Sequence, residues 1–495
     1  MGGLTMVLRP LNLIATVILA RLLDPADFGL VALAMILFST SHLFVGLGMG
    51  PAIIHSEYKP SQVAFPAFLI TTITGFTTYF LVIWNTEFIA QLLGSMNVTA
   101  VLQALSLLLI LNAFSIVPLG LLRKEMMFPH VAASIMAQQI VYLVASVCLA
   151  WGGYGLWSLV YGRLLAQLTS TVWVWFAYPG WDWLIPNRFD IAIFHSLLTY
   201  GIKTFAGGIT SYLHSHWDDW LVGRMLGEVA LGFYSKAYQF SNETLGKLAR
   251  STVGTVFFST YVKLRDDEVA LRNTYLKSIQ MVLVLMVPIS CGLIVIAPQL
   301  VSIVFGPKWV FMTTTLQIYA LVVLSRPISE NSAPFFQALG HPEYNMRAGI
   351  ALLFVMIPLA LLLLPWNIEG VALAVTISHF FGAIYNIYQA EKLLPGLMRP
   401  TLISCGQSYL NGLIMASGIY IFIMTILEPA GWGESLLGLL SATAIGIPFY
   451  LVGLYVIQKD LFFQIIGLVT EQLKRLQRFM PARFVRHIEV ERVLK

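Results

Sequence analysis

The chain consists of long apolar runs separated by short polar segments. Each of fourteen runs extends over about 20 residues, the length that an α-helix needs to cross the hydrocarbon core of a bilayer. Backbone polar groups in hydrocarbon must be paired within their own segment, so such runs predict helices. The predicted spans are residues 4–23, 28–50, 63–84, 98–122, 130–151, 154–178, 196–217, 229–256, 278–305, 311–339, 347–365, 368–390, 408–428 and 434–457.

The composition agrees with this pattern. Hydrophobic residues make up 58% of the 495 residues and charged residues 11%, with a mean hydropathy of +0.79, whereas a soluble domain has roughly 25% charged residues. The first run leads into the second without a small-residue cleavage site, so we expect it to be retained. Cys148, Cys291 and Cys405 lack the spacing of a metal site or a disulfide framework. The predicted fold is an all-α polytopic membrane protein.

The positive charges predict an orientation. Lys and Arg residues outside the predicted spans are concentrated in alternate loops and in the C-terminal tail, while the opposite loops hold only Arg21, Arg224 and Lys308. By the positive-inside rule both termini are predicted to lie in the cytoplasm. This distribution accounts for the net charge of +5 without a nucleic-acid partner. The tail either forms a helix on anionic lipid or is a solvated segment.

Internal similarity predicts two related halves. Residues 21–34 resemble 224–237, and residues 151–160 resemble 366–375, each pair at equivalent places in the hydropathy plan and on the same side of the membrane. Parallel repeats of this kind predict two six-helix lobes related by a pseudo-twofold axis along the membrane normal. The predicted domains are the first lobe (1–179), a cytoplasmic linker (180–195), the second lobe (196–391), two additional helices (392–458) and a cytoplasmic basic tail (459–495).

Several charges fall inside the predicted spans. A charged side chain at the centre of a spanning helix costs roughly 3 kcal/mol or more, so such residues should line a wet cavity or find partners. Acidic residues within the spans are fewer than basic ones, and the predicted cavity is therefore cationic. The intramembrane cations are Arg9, Arg163, Lys203, Lys236, Lys247, Arg250 and Arg326.

The seventh and eighth spans carry polar residues at helical spacing. Steps of three or four residues place side chains on one face of a helix, which predicts a stripe lining a cavity. In the eighth span the alternative is that Glu243 pairs with Lys247 while the outer cations extend to the interfaces. The two stripes are Lys203, Gly207, Thr210, His214 and Asp218, and Lys236, Gln239, Glu243, Lys247 and Arg250.

The tenth span contains the sequence Arg326-Pro-Ile-Ser-Glu330. Pro327 is expected to break the helix there and to free backbone groups for a ligand or cation. Alternatively, Arg326 and Glu330 bond each other. His214 is either a titrating group of the cavity or a hydrogen-bonded packing residue.

Four stretches resemble the polysaccharide transporter family. They are ARLLDPADFGLVALA (20–34), LLRKEMMF (121–128), DDWLVGRMLGEVALGFYS (218–235) and QALGHP (337–342). They are similar to the Wzx-type flippases of the multidrug, oligosaccharidyl-lipid and polysaccharide superfamily, especially the branch that exports colanic or teichuronic acid units. The resemblance implies fourteen helices and alternating access. It also implies translocation of an undecaprenyl-pyrophosphate-linked oligosaccharide from the cytoplasmic to the periplasmic leaflet of a bacterial inner membrane, for O-antigen, capsule or exopolysaccharide.

The residues fit such a cargo. Arg and Lys suit a pyrophosphate, and the aromatic groups of Tyr200, Tyr212 and Trp217 suit sugars. The resemblance leaves a polysaccharide polymerase and a chain-length regulator as candidate partners. Without a Gly-rich loop ending in Lys-Ser or Lys-Thr, neither ATP hydrolysis nor a cofactor is expected. Coupling to H⁺ or Na⁺, through Glu330 or Glu243, is a hypothesis.

Three other functions also occur among polytopic membrane proteins of this kind. A multidrug exporter of the same superfamily should have an acidic cavity, which disagrees with the intramembrane cations. A lipid II flippase would handle a chemically similar cargo and stays open. A membrane polysaccharide polymerase or ligase would need a large outer loop with catalytic residues, and the longest predicted outer loop covers only residues 85–97. The sequence therefore predicts a transporter and not an enzyme.

Overall fold

The computed structural model describes residues 14–180, 182–184, 190–246, 254–433, 435–467 and 470, with only the backbone described at 182, 206–215, 243–246 and 254–256. Helices joined by short turns make up this part of the chain, and no β-strand occurs within it. The chain divides into two compact units. The first comprises Met1–Ser251, Ala297–Ser325 and Glu343–Tyr385, and the second comprises Thr252–Ile296, Arg326–Pro342 and Asn386–Lys495.

The first unit contains ten α-helices of the N-terminal half, of which the first is described from residue 14 onward. It also holds a π-helix Gln239–Gly246, a second π-helix Val301–Phe305, a 3₁₀ helix Pro307–Met312, the whole of one later helix (Glu343–Leu363) and parts of three others. The ten helices are α1 (14–22), α2 (Pro25–Gly46), α3 (Met49–His55), α4 (Pro60–Trp84), α5 (Thr86–Leu93), α6 (Thr99–Lys124), α7 (Phe128–Trp151), α8 (Leu156–Ala177), α9 (Ile191–Leu226) and α10 (Glu228–Tyr238).

Seven further α-helices follow along the chain. They are α11 (Gly254–Leu264), α12 (Glu268–Leu300), α13 (Thr313–Ala338), α14 (Glu343–Leu363), α15 (Asn367–Leu393), α16 (Met398–Phe422) and α17 (Leu436–Ile457). The second unit contains α11, α16 and α17 with parts of α12, α13 and α15.

Every predicted span overlaps a helix of the structure. Within the described ranges, nine helical segments are long and apolar enough to cross a membrane. The prediction of an all-α polytopic membrane protein is confirmed, whereas the number of fourteen crossings and the division into two lobes stay predictions.

The second predicted span is divided in the structure. It begins where Pro25 occupies the first helical turn of α2, and Asp27 accepts a hydrogen bond from the backbone N–H of Asp24 at 3.1 Å; both features favour a helix start. It ends where Leu47 and Gly48 adopt left-handed backbone conformations, after which α3 continues to His55. The apolar run did not reveal this interruption, because a left-handed turn leaves hydropathy unchanged.

The expectation that Pro327 breaks the tenth span is wrong. Helix α13 continues through Pro327 and Pro334 without interruption. Proline removes one backbone donor, and spanning helices tolerate this loss. On either side of Pro327, the hydroxyl of Ser325 donates to the carbonyl of Val322 at 2.8 Å and that of Ser332 to the carbonyl of Ile328 at 2.8 Å.

Candidate functional site

Helix α9 carries three of the predicted cavity residues, Lys203, His214 and Asp218. Lys203 is exposed, whereas Asp218 is 7% exposed. Fifteen residues at 1.5 Å each separate them by about 22 Å along the helix axis. The helix therefore places a cation and a carboxylate at very different depths rather than in one compact site.

Asp218 belongs to a buried polar cluster with tyrosines. The hydroxyl of Tyr234 on α10 donates to its Oδ2 at 2.7 Å. The Tyr319 ring packs edge-on against Tyr234 and Tyr238, with ring centroids 5.3 Å and 5.2 Å apart. Burying a carboxylate is expensive unless hydrogen bonds stabilise it, and Tyr234 supplies one. The sequence prediction named Asp218 but missed these tyrosines, although Tyr234 and Tyr238 stand at i, i+4 spacing.

Lys236 on α10 packs against an aromatic side chain of α2. Its Nζ is 4.2 Å from the ring centroid of Phe28 on α2 and donates to Oε1 of Gln239 at 2.9 Å. Phe28 in turn packs edge-on against Trp309. A cation over an aromatic face is stabilised by the ring quadrupole, so part of the charge of Lys236 is balanced within the protein.

Arg163 lies on α8 against α7. Its guanidinium carbon is 5.5 Å from the ring centroid of Tyr142, and its Nε is buried without a hydrogen-bond partner among the described residues. One turn along, Nε2 of Gln138 donates to Oε1 of Gln167 at 2.7 Å. The two helices thus meet along a polar seam, which contains Arg163.

Arg326 and Glu330 belong to the second unit. Both are half-buried and lie one turn apart on α13. Next to them along the chain, Asn331 Oδ1 accepts a hydrogen bond from the hydroxyl of Tyr261 at 2.8 Å, and that hydroxyl also contacts Ser278 Oγ at 2.7 Å. This buried network, which sequence reasoning missed, joins α11, α12 and α13 close to the two charges.

For the remaining predicted site residues, the structure describes either nothing or only the backbone. Arg9, Lys247 and Arg250 fall outside the described residues, and the side chains of His214 and Glu243 are not described. Glu243 is in the π-helix Gln239–Gly246, whose i→i+5 bonds alter the helical spacing on which the eighth stripe was based. The cationic cavity as a whole therefore stays a prediction. Within the described part of the chain, no group of three or more His, Cys, Asp or Glu side chains is placed to hold a metal ion.

Three curated relatives resemble most of the chain. The lipopolysaccharide biosynthesis protein WzxC of Escherichia coli (strain K12) is 23% identical over 88% of this chain and 87% of its own length. The succinoglycan biosynthesis transport protein ExoT of Rhizobium meliloti (strain 1021) is 25% identical over 63% of this chain and 62% of its own. The probable low-salt glycan biosynthesis flippase Agl15 of Haloferax volcanii is 21% identical over 64% and 66%.

Solved structures share the fold. The lipid II flippase MurJ in an inward closed conformation superposes with a TM-score of 0.76 at 18% identity, covering 93% of this chain and 99% of that one. An inward-facing multidrug resistance transporter of the MATE family has a TM-score of 0.63 at 15% identity, covering 79% and 95%.

Long apolar helices that enclose charged and hydrogen-bonded polar groups define a polytopic membrane protein. The prediction of a transporter rather than an enzyme is confirmed. The relatives whose names state an activity are a transport protein and a flippase. The model of a family described as polysaccharide biosynthesis protein matches residues 18–314, and the chain belongs to that family.

Proposed function

We propose that this protein is a flippase for lipid-linked oligosaccharides in the synthesis of a surface polysaccharide. The observation that carries the proposal is the family match over residues 18–314. The names of ExoT and Agl15, a transport protein and a flippase of glycan pathways, support it. The proposed cargo is an undecaprenyl-pyrophosphate-linked repeat unit that moves from the cytoplasmic to the periplasmic leaflet by alternating access.

The charges inside the spans suit this cargo. Lys203 is exposed on α9, and an ammonium group within a membrane protein attracts a phosphate strongly because little water screens the charges. Arg326 supplies a guanidinium, whose fork matches phosphate oxygens. Tyr200, stacked on His55 with ring centroids 4.5 Å apart, offers an aromatic surface three residues from Lys203.

The proposed location is the bacterial inner membrane, with both termini in the cytoplasm. The distribution of Lys and Arg over alternate loops supports this orientation. A polysaccharide polymerase and a chain-length regulator are the proposed partners, since they would receive the exported unit.

Coupling to an H⁺ or Na⁺ gradient is part of the proposal. Asp218 supports it, since a buried carboxylate in a membrane transporter is a group that a cation can neutralise. Glu330, half-buried on α13, is the second described candidate.

Deletion of the gene tests the function. Lipid-linked oligosaccharides are extracted, and their leaflet is assigned with a membrane-impermeant glycosidase on spheroplasts. We expect the complete repeat unit to accumulate where the enzyme cannot reach it, and a plasmid copy to reverse the effect. Accumulation of lipid II instead would identify that lipid as the cargo, and unchanged lipid pools would contradict both assignments.

A further inference from the structure

A further helical segment follows α17 after a fixed bend. Helix α17 ends at Ile457, and residues 459–467 form a second helical segment, which we call the short helix. Between them, Gln458 leaves the helical conformation with φ −131° and ψ 55°. Its side chain is 7% exposed, and its Nε2 donates to Oγ of Ser408 on α16 at 3.2 Å. The bend is therefore held by α16, and all of these residues belong to the second unit.

The bend lies where a spanning helix leaves the hydrocarbon core. Helix α17 contains 22 residues, which extend over about 33 Å at 1.5 Å per residue. The hydrocarbon core of a bilayer is about 30 Å thick. A helix that enters the core near Leu436 therefore leaves it near Ile457, and the short helix begins at the level of the lipid headgroups.

The short helix has three different sides. Residues three or four apart share a side of a helix. One side lies against the protein, a second is apolar and exposed, and the third is polar and exposed. Phe463 and Ile466, on the second side, are 55% and 39% exposed. Such an amphipathic pattern suits a helix that lies in the plane of a membrane surface. In order, the sides are formed by Leu461 and Ile465, by Phe463 and Ile466, and by Asp460 and Gln464.

Aromatic contacts join the short helix to the exposed surface of α17. The ring of Tyr455 packs edge-on against Phe462 and Phe463, with centroids 5.4 Å and 6.3 Å apart. Nζ of Lys459 lies 5.7 Å from the centroid of the same ring. Tyr455 and its neighbour Val456 are 46% and 71% exposed, as expected where a spanning helix faces lipid. The apolar surface of α17 therefore continues onto Phe463.

The sequence beyond the short helix is basic. Residues 471–495 contain seven Lys and Arg residues and three Glu residues. The first three cations are Lys474, Arg475 and Arg478, and they lie outside the described part of the chain. Clusters of Lys and Arg next to a spanning helix attract anionic lipid headgroups, an attraction that weakens within a Debye length. The charge of this segment is thus complementary to an anionic membrane surface.

We propose that the short helix lies in the cytoplasmic surface of the membrane, with Phe463 and Ile466 inserted among the lipids, and that the basic segment after it binds anionic phospholipid. The inference rests on the proposed function for the side of the membrane but not for the cargo. An anionic membrane fits better than a protein partner, because the exposed apolar side is at headgroup level and continuous with the lipid-facing surface of α17. Asp460 and Gln464 then face the cytoplasm.

Depth measurements test the insertion of the apolar side. In full-length protein whose native cysteines are replaced by alanine, Phe463→Cys or Gln464→Cys carries a nitroxide spin label. The protein is placed in nanodiscs of phosphatidylethanolamine and phosphatidylglycerol. We expect oxygen, which concentrates in lipid, to relax the label at 463 more strongly than a water-soluble nickel chelate does, and the reverse at 464. Gln464 is the matched control, since it is the next residue and equally in the exposed class.

A contrary result of this measurement is unambiguous. Equal access of the nickel chelate to the labels at 463 and 464 would overturn the proposal and leave the apolar side for a protein partner.

Limited proteolysis tests the binding of anionic lipid and needs no cysteine substitution. Trypsin cleavage after residue 474 or beyond is followed by blotting in nanodiscs of phosphatidylcholine alone and in nanodiscs that also contain phosphatidylglycerol. We expect cleavage to be several-fold slower with phosphatidylglycerol. High salt should abolish this protection, because the Debye length falls to about 3 Å at 1 M. Replacing Lys474, Arg475 and Arg478 by Gln should weaken it at the remaining sites.

The internal control is cleavage at the end of α11. Lys263 and Arg265 are exposed cations there, followed by Asp266 and Asp267, which oppose attraction to an anionic surface. The measured quantity is the rate of cleavage in the basic segment divided by the rate at this control site. A ratio that is the same in both kinds of nanodisc would refute the binding of anionic phospholipid.

Neither measurement uses the cargo, so its failure and that of the proposed function are distinguishable. If the label at 463 is in lipid and phosphatidylglycerol protects the basic segment while deletion leaves the lipid-linked pools unchanged, the membrane contact stands and the proposed cargo is wrong. If the repeat unit accumulates on deletion but the basic segment is cleaved equally in both lipids, the flippase stands and this inference is wrong.

Discussion

Asp218 of α9 is a buried carboxylate whose described partner is the hydroxyl of Tyr234 on α10. A carboxylate that is 7% exposed keeps a 2.7 Å hydrogen bond from a buried hydroxyl. Its neighbour Asp219 is in a different setting, with a partly exposed side chain 3.3 Å from Nδ1 of His216. Two adjacent carboxylates thus differ in burial, and the first is enclosed by the protein while the second is partly exposed.

Asp218→Asn is predicted to remove the dependence of export on the ion gradient. The amide keeps an acceptor for Tyr234 but cannot carry the charge that a proton or Na⁺ would neutralise. The measurement compares export in membrane vesicles with and without an ionophore. Asp219→Asn is the control and should remain sensitive to the ionophore. Full sensitivity of Asp218→Asn would exclude this residue from coupling.

Lys203→Ala is predicted to reduce export at least tenfold while the protein still reaches the membrane. The exposed ammonium is proposed to attract the pyrophosphate, so Lys203→Arg should retain most of the activity. Lys263→Ala, which removes an equally exposed cation near the end of α11, should have no effect. Export is measured by complementation of the deletion strain, with membrane abundance from a blot. Normal export by Lys203→Ala would contradict the assignment.

For individual side chains, the sequence showed which residues carry charge but not which residues surround them. Asp218 and Lys236 were named, yet the partners that hold them, Tyr234 and Phe28, are uncharged aromatics among many others. Pro327 was misjudged because a proline removes only one backbone donor, and helix α13 continues past it.

Among the elements, the short 3₁₀ helix between α8 and α9 packs into a hydrophobic core of the first unit. A 3₁₀ helix at Asp182–Leu184 carries Trp183, which is 6% exposed and packs against Phe68 and Trp175 at centroid distances of 5.6 Å and 5.5 Å. Residues predicted to form a linker therefore contribute to a hydrophobic core.

Trp183→Ala is predicted to destabilise the protein by about 3–5 kcal/mol, the usual cost of removing a buried indole. Thermal stability in detergent, followed by fluorescence-detected size-exclusion chromatography, should fall clearly below that of the unaltered protein. Trp151→Ala, at a position 74% exposed, is the control and should change little. Equal stability of the two variants would show that the linker does not contribute to the core.

The apolar runs predicted the long helices but not the short elements. Short elements such as α3, α5 and the three described π-helices lie within or beside predicted spans, where hydropathy does not change at a backbone turn; the π-helices are Gln239–Gly246, Val301–Phe305 and Ile423–Leu427. Helix α9 runs to Leu226, beyond the predicted end at 217, because helix formation continues into polar residues that a hydropathy boundary excludes.

For the whole molecule, the family and the all-α membrane fold were predictable, because both depend on patterns that extend along the chain. The number of crossings and the division into lobes were not settled by such patterns. The compact units combine segments distant in sequence, such as 297–325 with the N-terminal helices. The repeat in residues 21–34 and 224–237 pointed to matched positions, yet only coordinates showed that Gly29 and Gly232 contact each other's helices.

The central claim is that this protein moves a lipid-linked oligosaccharide across a membrane. The most direct test uses purified protein in proteoliposomes that contain undecaprenyl-pyrophosphate-linked oligosaccharide in both leaflets. The measured quantity is the fraction of that lipid accessible to an impermeant glycosidase added outside. Flipping predicts that digestion proceeds beyond the outer-leaflet fraction toward completion, and more slowly with Lys203→Ala protein. Digestion that stops at the fraction seen in protein-free liposomes, with correctly inserted protein and an imposed gradient, would contradict the claim.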